Sequence, residues 1–267
     1  MAAIRRHPLI TFFVLTFLIS WGFLPFEAVG FVAGGPFIAA LIVTALTQGW
    51  AGLRDLGSRR IRWRVRWYWY VLAIGLPLAV QLVNVVLNAA LGAPGPSLAQ
   101  FSPVYAVLVV FAVRLVNPAD GPLGEEPGWR GFAQPRLQAD RSPLIATLIL
   151  AVLVTIWHVP TFILEAGLQP SFILGGVLAT VAVTFWYAWL FNRSGGSVLM
   201  TLIAHATEGS IQLGALWPAS AAGQIILVYA AVWCAVAIGL VVFDWRLWRG
   251  PAPATVQPAY QAESRVR

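Results

Sequence analysis

Apolar residues come in eight long runs, near 9–26, 29–48, 67–91, 101–117, 143–164, 171–191, 196–214 and 221–243, with most charges gathered in the short joints between them. A helix needs about 20 mostly apolar residues to cross ~30 Å of hydrocarbon. The pattern therefore predicts an all-α polytopic membrane protein of eight transmembrane helices. No internal repeat is evident and no joint is long enough to separate domains, so residues 1–249 read as a single transmembrane domain. From Gly250 the chain is rich in Pro, Ala and Gln, and 250–267 reads as a disordered cytoplasmic tail. Arg5 and Arg6 ahead of the apolar run from Leu9 have the outline of a signal peptide. No small-x-small cleavage site follows, so this segment reads as a retained first span.

Composition agrees with that reading. Of 267 residues, 59% are hydrophobic and 10% charged, against about 25% charged in an ordinary soluble domain. The formal charge of +7 comes entirely from arginine, because the chain has no lysine. A basic soluble protein would suggest nucleic acid, but the positions of the arginines point elsewhere. With a cytoplasmic N-terminus, the joints after spans 2, 4 and 6 and the C-terminus are cytoplasmic as well. Those regions, with Arg5, Arg6 and Arg114 near the cytoplasmic ends of spans 1 and 4, hold all 17 arginines. This is a complete positive-inside bias. It predicts a multi-pass protein of the cell membrane with both termini cytoplasmic. The alternation of arginine with aromatic and apolar residues over 59–70 fits an interfacial belt on anionic headgroups, so the lipid bilayer is the expected partner and no nucleic acid is. The one cysteine, Cys234, excludes a disulfide within the chain.

Against this apolar background a few polar residues stand out. Gly124-Glu125-Glu126-Pro127-Gly128-Trp129-Arg130-Gly131 places two carboxylates and an arginine at the edge of a span. His158 sits in Trp157-His158-Val159-Pro160, and His205 in Leu202-Ile203-Ala204-His205-Ala206. Ionisable residues at such depth are costly and mark function by default. Taken singly, each has a blander reading: interfacial carboxylates neutralising arginines, or histidines hydrogen-bonding between helices. Together they suit hydrolysis. Pro127 is expected to open a short helix with both glutamates at its positive end. Glu126 and Arg130, four apart, could then pair, leaving Glu125 free to take a proton from water with a histidine assisting. A second imidazole can hydrogen-bond the oxyanion. Zinc held by two histidines and a glutamate is chemically possible, but no HExxH pair exists and no metal or other cofactor is expected. Ser197 and Ser210 lack the elbow of a serine nucleophile.

Glu125-Glu126-Pro127-Gly128-Trp129-Arg130 resembles the EExxxR motif of the CPBP family of intramembrane glutamic endopeptidases. That family includes the CAAX prenyl proteases and the bacteriocin-processing, Abi-like proteins. Trp157-His158-Val159-Pro160 resembles its second motif and His205 its third, so the motif core covers about 100–215. The resemblance implies catalytic Glu125, His158 and His205, with Glu126 and Arg130 in support. It also implies an endopeptidase acting on membrane-anchored peptide or protein substrates, lipidated ones included. Two positions depart from the family pattern. Val154 stands where an aromatic residue is usual, and Gly209 where an asparagine is thought to help bind the oxyanion; Glu208 and Ser210 are the polar neighbours that could substitute. The rival reading, from a different class, is a non-catalytic immunity or scaffold protein that uses the same cavity. Straight helices would leave Glu125 at the cytoplasmic surface and His158 ~22 Å into span 5. For the two to meet, span 4 must continue or fold back inward, or the site must be a deep funnel open to the cytoplasm; residues 117–122 are expected to line that cytoplasm-facing intramembrane cavity.

Overall fold

A computed structural model describes residues 2–26 and 30–256 of the chain. Every regular element among the described residues is helical. The helices that matter here are α1 (Pro8–Trp21), α2 (Gly35–Arg60), α3 (Tyr68–Ala90), α4 (Tyr105–Val116), α5 (Gly121–Glu126), α6 (Gln134–Leu137), α7 (Pro143–Ala166), α8 (Pro170–Arg193), α9 (Val198–Ser210), α10 (Ala222–Phe243) and α11 (Trp245–Arg249). Six stretches among the described residues are long and apolar enough to cross a membrane: Gly35–Arg60, Tyr68–Ala90, Tyr105–Leu137, Pro143–Glu165, Pro170–Arg193 and Ala219–Phe243. The expected first and seventh spans fall short. They appear as α1 and α9, of 14 and 13 residues, or roughly 20 Å each at 1.5 Å per residue. The protein is thus a multi-pass helical membrane protein, with two of the eight expected helices too short to cross alone.

The bundle has two chemically different ends. At one, Arg59 donates to the Val256 carbonyl at 2.8 Å, Arg62 donates to the Gly195 carbonyl, and the Ser197 hydroxyl donates to the Arg62 carbonyl at 2.7 Å. Arg193 pairs with Asp244 there. This end joins α2 to α3, α8 to α9, and α10 to α11. Residues 250–256 belong to it: Val256 is fully buried, so the start of the expected disordered tail is packed, and the rest of that tail lies outside the described residues. At the other end the joint after α3 meets the joint after α9. Ser97 N–H donates to the Leu216 carbonyl at 2.7 Å, and Trp217 Nε1 to the Pro94 carbonyl at 2.8 Å.

One segment threads the middle. α4 stops at Val116 because Asn117 is extended ahead of Pro118, where a proline disfavours helical backbone in the residue before it. The helix restarts when the Asp120 carboxylate caps α5, accepting from Gly121 N–H at 2.7 Å, with Pro122 in the first turn. α5 then runs into a π-helical segment, Pro127–Ala133, and on into α6. Pro127 therefore does not open a helix, as the sequence suggested; it continues one that began six residues earlier. Residues 122–135 are buried throughout. The glutamate motif, Arg130 included, is accordingly inside the bundle and not in a cytoplasmic joint. Glycine makes this possible: a Cβ on Gly128 would come within 2.5 Å of the Pro36 backbone, and one on Gly124 within 2.9 Å of two carbonyl oxygens. Small residues do the same where α8 meets its neighbours, with Gly175 against Ile226 and Gly176 against Phe162. Close backbone approach of this kind drives helix association in lipid, where burial of apolar surface contributes little.

Candidate active site

Adjacent residues on a helix point about 100° apart at 3.6 residues per turn, so Glu125 and Glu126 face different neighbours. Glu125 turns to α7. Its Oε2 accepts from the indole Nε1 of Trp129 at 3.2 Å and lies 3.9 Å from Nε2 of His158. Glu126 turns to α9 and is fully enclosed; its Oε1 meets Arg130 at 3.0 Å and Nδ1 of His205 at 3.1 Å.

The imidazoles are held by their other contacts. His158 Nδ1 lies 2.9 Å from the Val154 carbonyl. A carbonyl only accepts, so Nδ1 carries the proton, and in the neutral ring Nε2 presents its lone pair toward Glu125. Beside it, Trp157 is buried edge-on to Trp129 at 5.5 Å, and its carbonyl accepts from Trp21 Nε1 at 3.1 Å. This aromatic wedge fixes His158 and the Trp129 brace on Glu125 together. His205 stacks on Tyr187 at 5.4 Å, and the same ring carries the Arg130 guanidinium at 4.9 Å. Glu125 Oε1 and His205 Nε2 each lie 3.0 Å from where a Cβ on Gly121 would sit, so they are within about 6 Å of each other.

These groups border open space. A cavity of about 200 Å³ is lined by Glu125, Arg130, Val154, His158, Tyr187, His205 and residues of α8 and α10. Val154 leaves room there that an aromatic side chain would fill. A larger cavity of about 840 Å³ shares His205, Glu208, Ile226 and Tyr229 with the first. Its lining includes Gln169 of the joint after α7 and most of the joint 211–219, together with Arg114, Glu165 and Gln81. Both joints lie at the end opposite the arginines. The break at 117–122 does lie beside the site, through Gly121.

The structure thus brings Glu125, Glu126, Arg130, His158 and His205 into one cluster. Of the two proposed substitutes for the missing asparagine, Ser210 is spent on the Ala206 carbonyl at 2.5 Å. Glu208 borders both cavities, but its oxygens accept from the hydroxyls of Tyr187 and Tyr229. A carboxylate so engaged has no proton to donate to an oxyanion. Trp129, Tyr187, Tyr229 and Arg114 were not singled out in the sequence for this site. Aromatic residues in apolar runs carry no signal of their own, though Trp129 falls within the motif itself. Among the described residues, no group of three His, Cys, Asp or Glu side chains is disposed to hold a metal ion.

A carboxylate within reach of an imidazole, at a cavity inside a helical membrane bundle, is an arrangement able to activate water. Residues 97–210, which contain every side chain of the cluster, match the family model described as Type II CAAX prenyl endopeptidase, Rce1-like. The resemblance read from the three motifs is borne out. Among curated proteins, none matches the chain.

Proposed function

We propose that the protein is an intramembrane endopeptidase that hydrolyses a peptide bond of membrane-associated substrates, lipidated peptides among them, with Glu125 as the base. What supports this above all is the placement of Glu125 Oε2 3.9 Å from His158 Nε2, with His205 on the other side, all three at one cavity. Two acceptors at that separation suit a single water that donates one proton to each. A general base works within hydrogen-bond reach, or through one water, of the proton it takes. As the water oxygen bonds to the scissile carbonyl carbon, Glu125 takes its proton and the carbonyl electron pair moves onto oxygen. Held to Glu126 through Nδ1–H, His205 donates from Nε2 to that oxyanion in its imidazolium form. Collapse re-forms the carbonyl and breaks the C–N bond, and the proton on Glu125 passes to the leaving nitrogen. Arg130 keeps Glu126, and through it His205, in place. No step uses a metal or cofactor, so a strong chelator should leave the rate unchanged.

The test is cleavage of a panel of membrane-anchored peptides by purified protein, wild type against Glu125→Gln. An endopeptidase loses cleavage with this substitution. A scaffold cleaves nothing in either form and keeps its biological function with glutamine. On the positive-inside rule, both termini lie on the cytoplasmic side of the cell membrane, and the larger cavity then opens on the opposite face. In a Cys234→Ala background, Ser220→Cys should react with an impermeant maleimide in intact cells, while Ser58→Cys should not. The reverse pattern would invert this topology.

A further inference from the structure

Arg114 is the one arginine lining the larger cavity among the described residues, and nothing in the mechanism above uses it. It lies nine residues into α4, ~14 Å from its start, between lipid-facing Val113 and Val116. A guanidinium at that depth is costly and is a functional hypothesis by default. Its side chain turns inward and is only 19% exposed; Nη1 pairs with Asp120 Oδ1 at 3.0 Å, and Nε is buried with no hydrogen-bond partner among the described residues. The tip lies over Gly209, one helical turn beyond His205 on α9. A Cβ built on Gly209 would stand 2.3 Å from Arg114 Nη2 and 2.5 Å from Cζ. An asparagine side chain presents its amide nitrogen about 2.4 Å from its own Cβ, by standard bond lengths and angles. The guanidinium therefore fills the space, and lies at the radius, that a side-chain amide of residue 209 would occupy.

We infer that Arg114 is the second oxyanion donor of this site, reaching from α4 to the place that α9 leaves vacant with Gly209. This rests on the endopeptidase reading above. Asp120 uses one face of the guanidinium and aims the remainder. Asp120 also caps α5, so the same carboxylate positions both this donor and the helix that carries Glu125. A guanidinium brings fixed positive charge to the developing oxyanion, whereas the wholly neutral amide of an asparagine does not. The bland alternative, a salt bridge that only ties α4 to the chain break, would be served as well by lysine.

The test uses full-length protein in detergent with fluorogenic farnesylated and myristoylated peptides, each with a free or an amidated C-terminus. Removing one oxyanion donor costs about 10²–10³-fold in kcat. Arg114→Ala should show such a loss, with KM little changed and the same loss on both C-termini. Arg114→Lys, which keeps the charge and the Asp120 pairing, should still lose at least about tenfold in kcat, because it lacks the planar fork. Gly209→Asn alone should be impaired by collision with the guanidinium. Arg114→Ala combined with Gly209→Asn should regain at least about tenfold over Arg114→Ala, an amide restoring one donor. Full activity of Arg114→Lys would overturn the inference in favour of a structural salt bridge. A loss seen only in KM, and only with free C-termini, would overturn it in favour of a carboxylate anchor. A correctly folded double variant no better than Arg114→Ala would also overturn it. If Arg114→Ala does not fold, Arg114→Lys and Gly209→Asn decide alone. Absence of cleavage by the wild type would remove the endopeptidase reading itself, whereas wild-type cleavage with an unchanged kcat in the Arg114 variants would remove only this inference.

Discussion

On the α9 side of α5, Glu126 is sealed from solvent between Arg130, His205 and the ring of Tyr187. On the α7 side, Glu125 makes a single indole hydrogen bond and otherwise looks across open space to His158. The two regions are one residue apart in the chain and differ in what they leave room for. A fully enclosed charge is tolerable only when it is paired and hydrogen-bonded, and such a pair contributes position more than net stability. It cannot also take up water. The half-open carboxylate can, because its second oxygen and its histidine partner border a cavity. Adjacent carboxylates of the same kind are thus separated into a frame and a reactive group by which way the helix turns them.

Substitutions can break this comparison. Glu125→Gln should lower the cleavage rate by about 10⁴-fold, the upper end for general-base work, and leave the thermal midpoint in detergent nearly unchanged. Arg130→Met should do the opposite. It strands the buried Glu126 charge at a cost of about 3–5 kcal/mol, read as a large drop in the thermal midpoint, with activity lost along with the fold. Equal destabilisation by both variants would show that the division into frame and reactive group is wrong. His158→Gln, which leaves the wedge of Trp157 and Trp129 intact, should lower the rate by about 10²-fold at constant stability. A fall in stability with no fall in rate would make His158 a packing residue.

The smallest effect should come from the exposed pair at the arginine-rich end. Burial disfavours the Asp244 carboxylate, but the hydrogen bonds and charge from Arg193, with Trp189, outweigh it and hold the pKa below the ordinary aspartate value. Its contribution is then complete above the ordinary value of about 3.9 and is lost as pH falls through the lowered folded value. Asp244→Asn should cost no more than about 1 kcal/mol near neutral pH, and the difference from wild type should vanish in acid. A larger cost would mean that this end, too, holds a buried charge network.

Much of this could be read without coordinates. His158 and His205 stood out because each is ionisable in an oily run, Glu125 because it belongs to a carboxylate pair beside an arginine, and their types already suited hydrolysis. The rest was hidden for identifiable reasons. The depth of the motif depends on α4 stopping at Asn117 and the chain resuming inward, which needed the Pro36 and Ala33 backbone to pack against Gly128 and Gly124. Charge counting placed Arg130 in a joint because a buried arginine and a cytoplasmic one look alike in a string of letters. Which joints surround the larger cavity was hidden for a similar reason. Arginine placement orients the ends of the bundle, but it carries no information about which joints surround an internal space.

Hydropathy and charge placement are local properties that the bilayer reads residue by residue, so they alone were enough to predict a multi-pass helical protein and to mark the residues able to do chemistry. Which carboxylate is sealed, which imidazole it meets, and that Arg114 lies over Gly209 are relations between helices far apart in the chain. Only close packing of one backbone against another decides these, because a rotation of one residue on α5 would exchange the surroundings of Glu125 and Glu126.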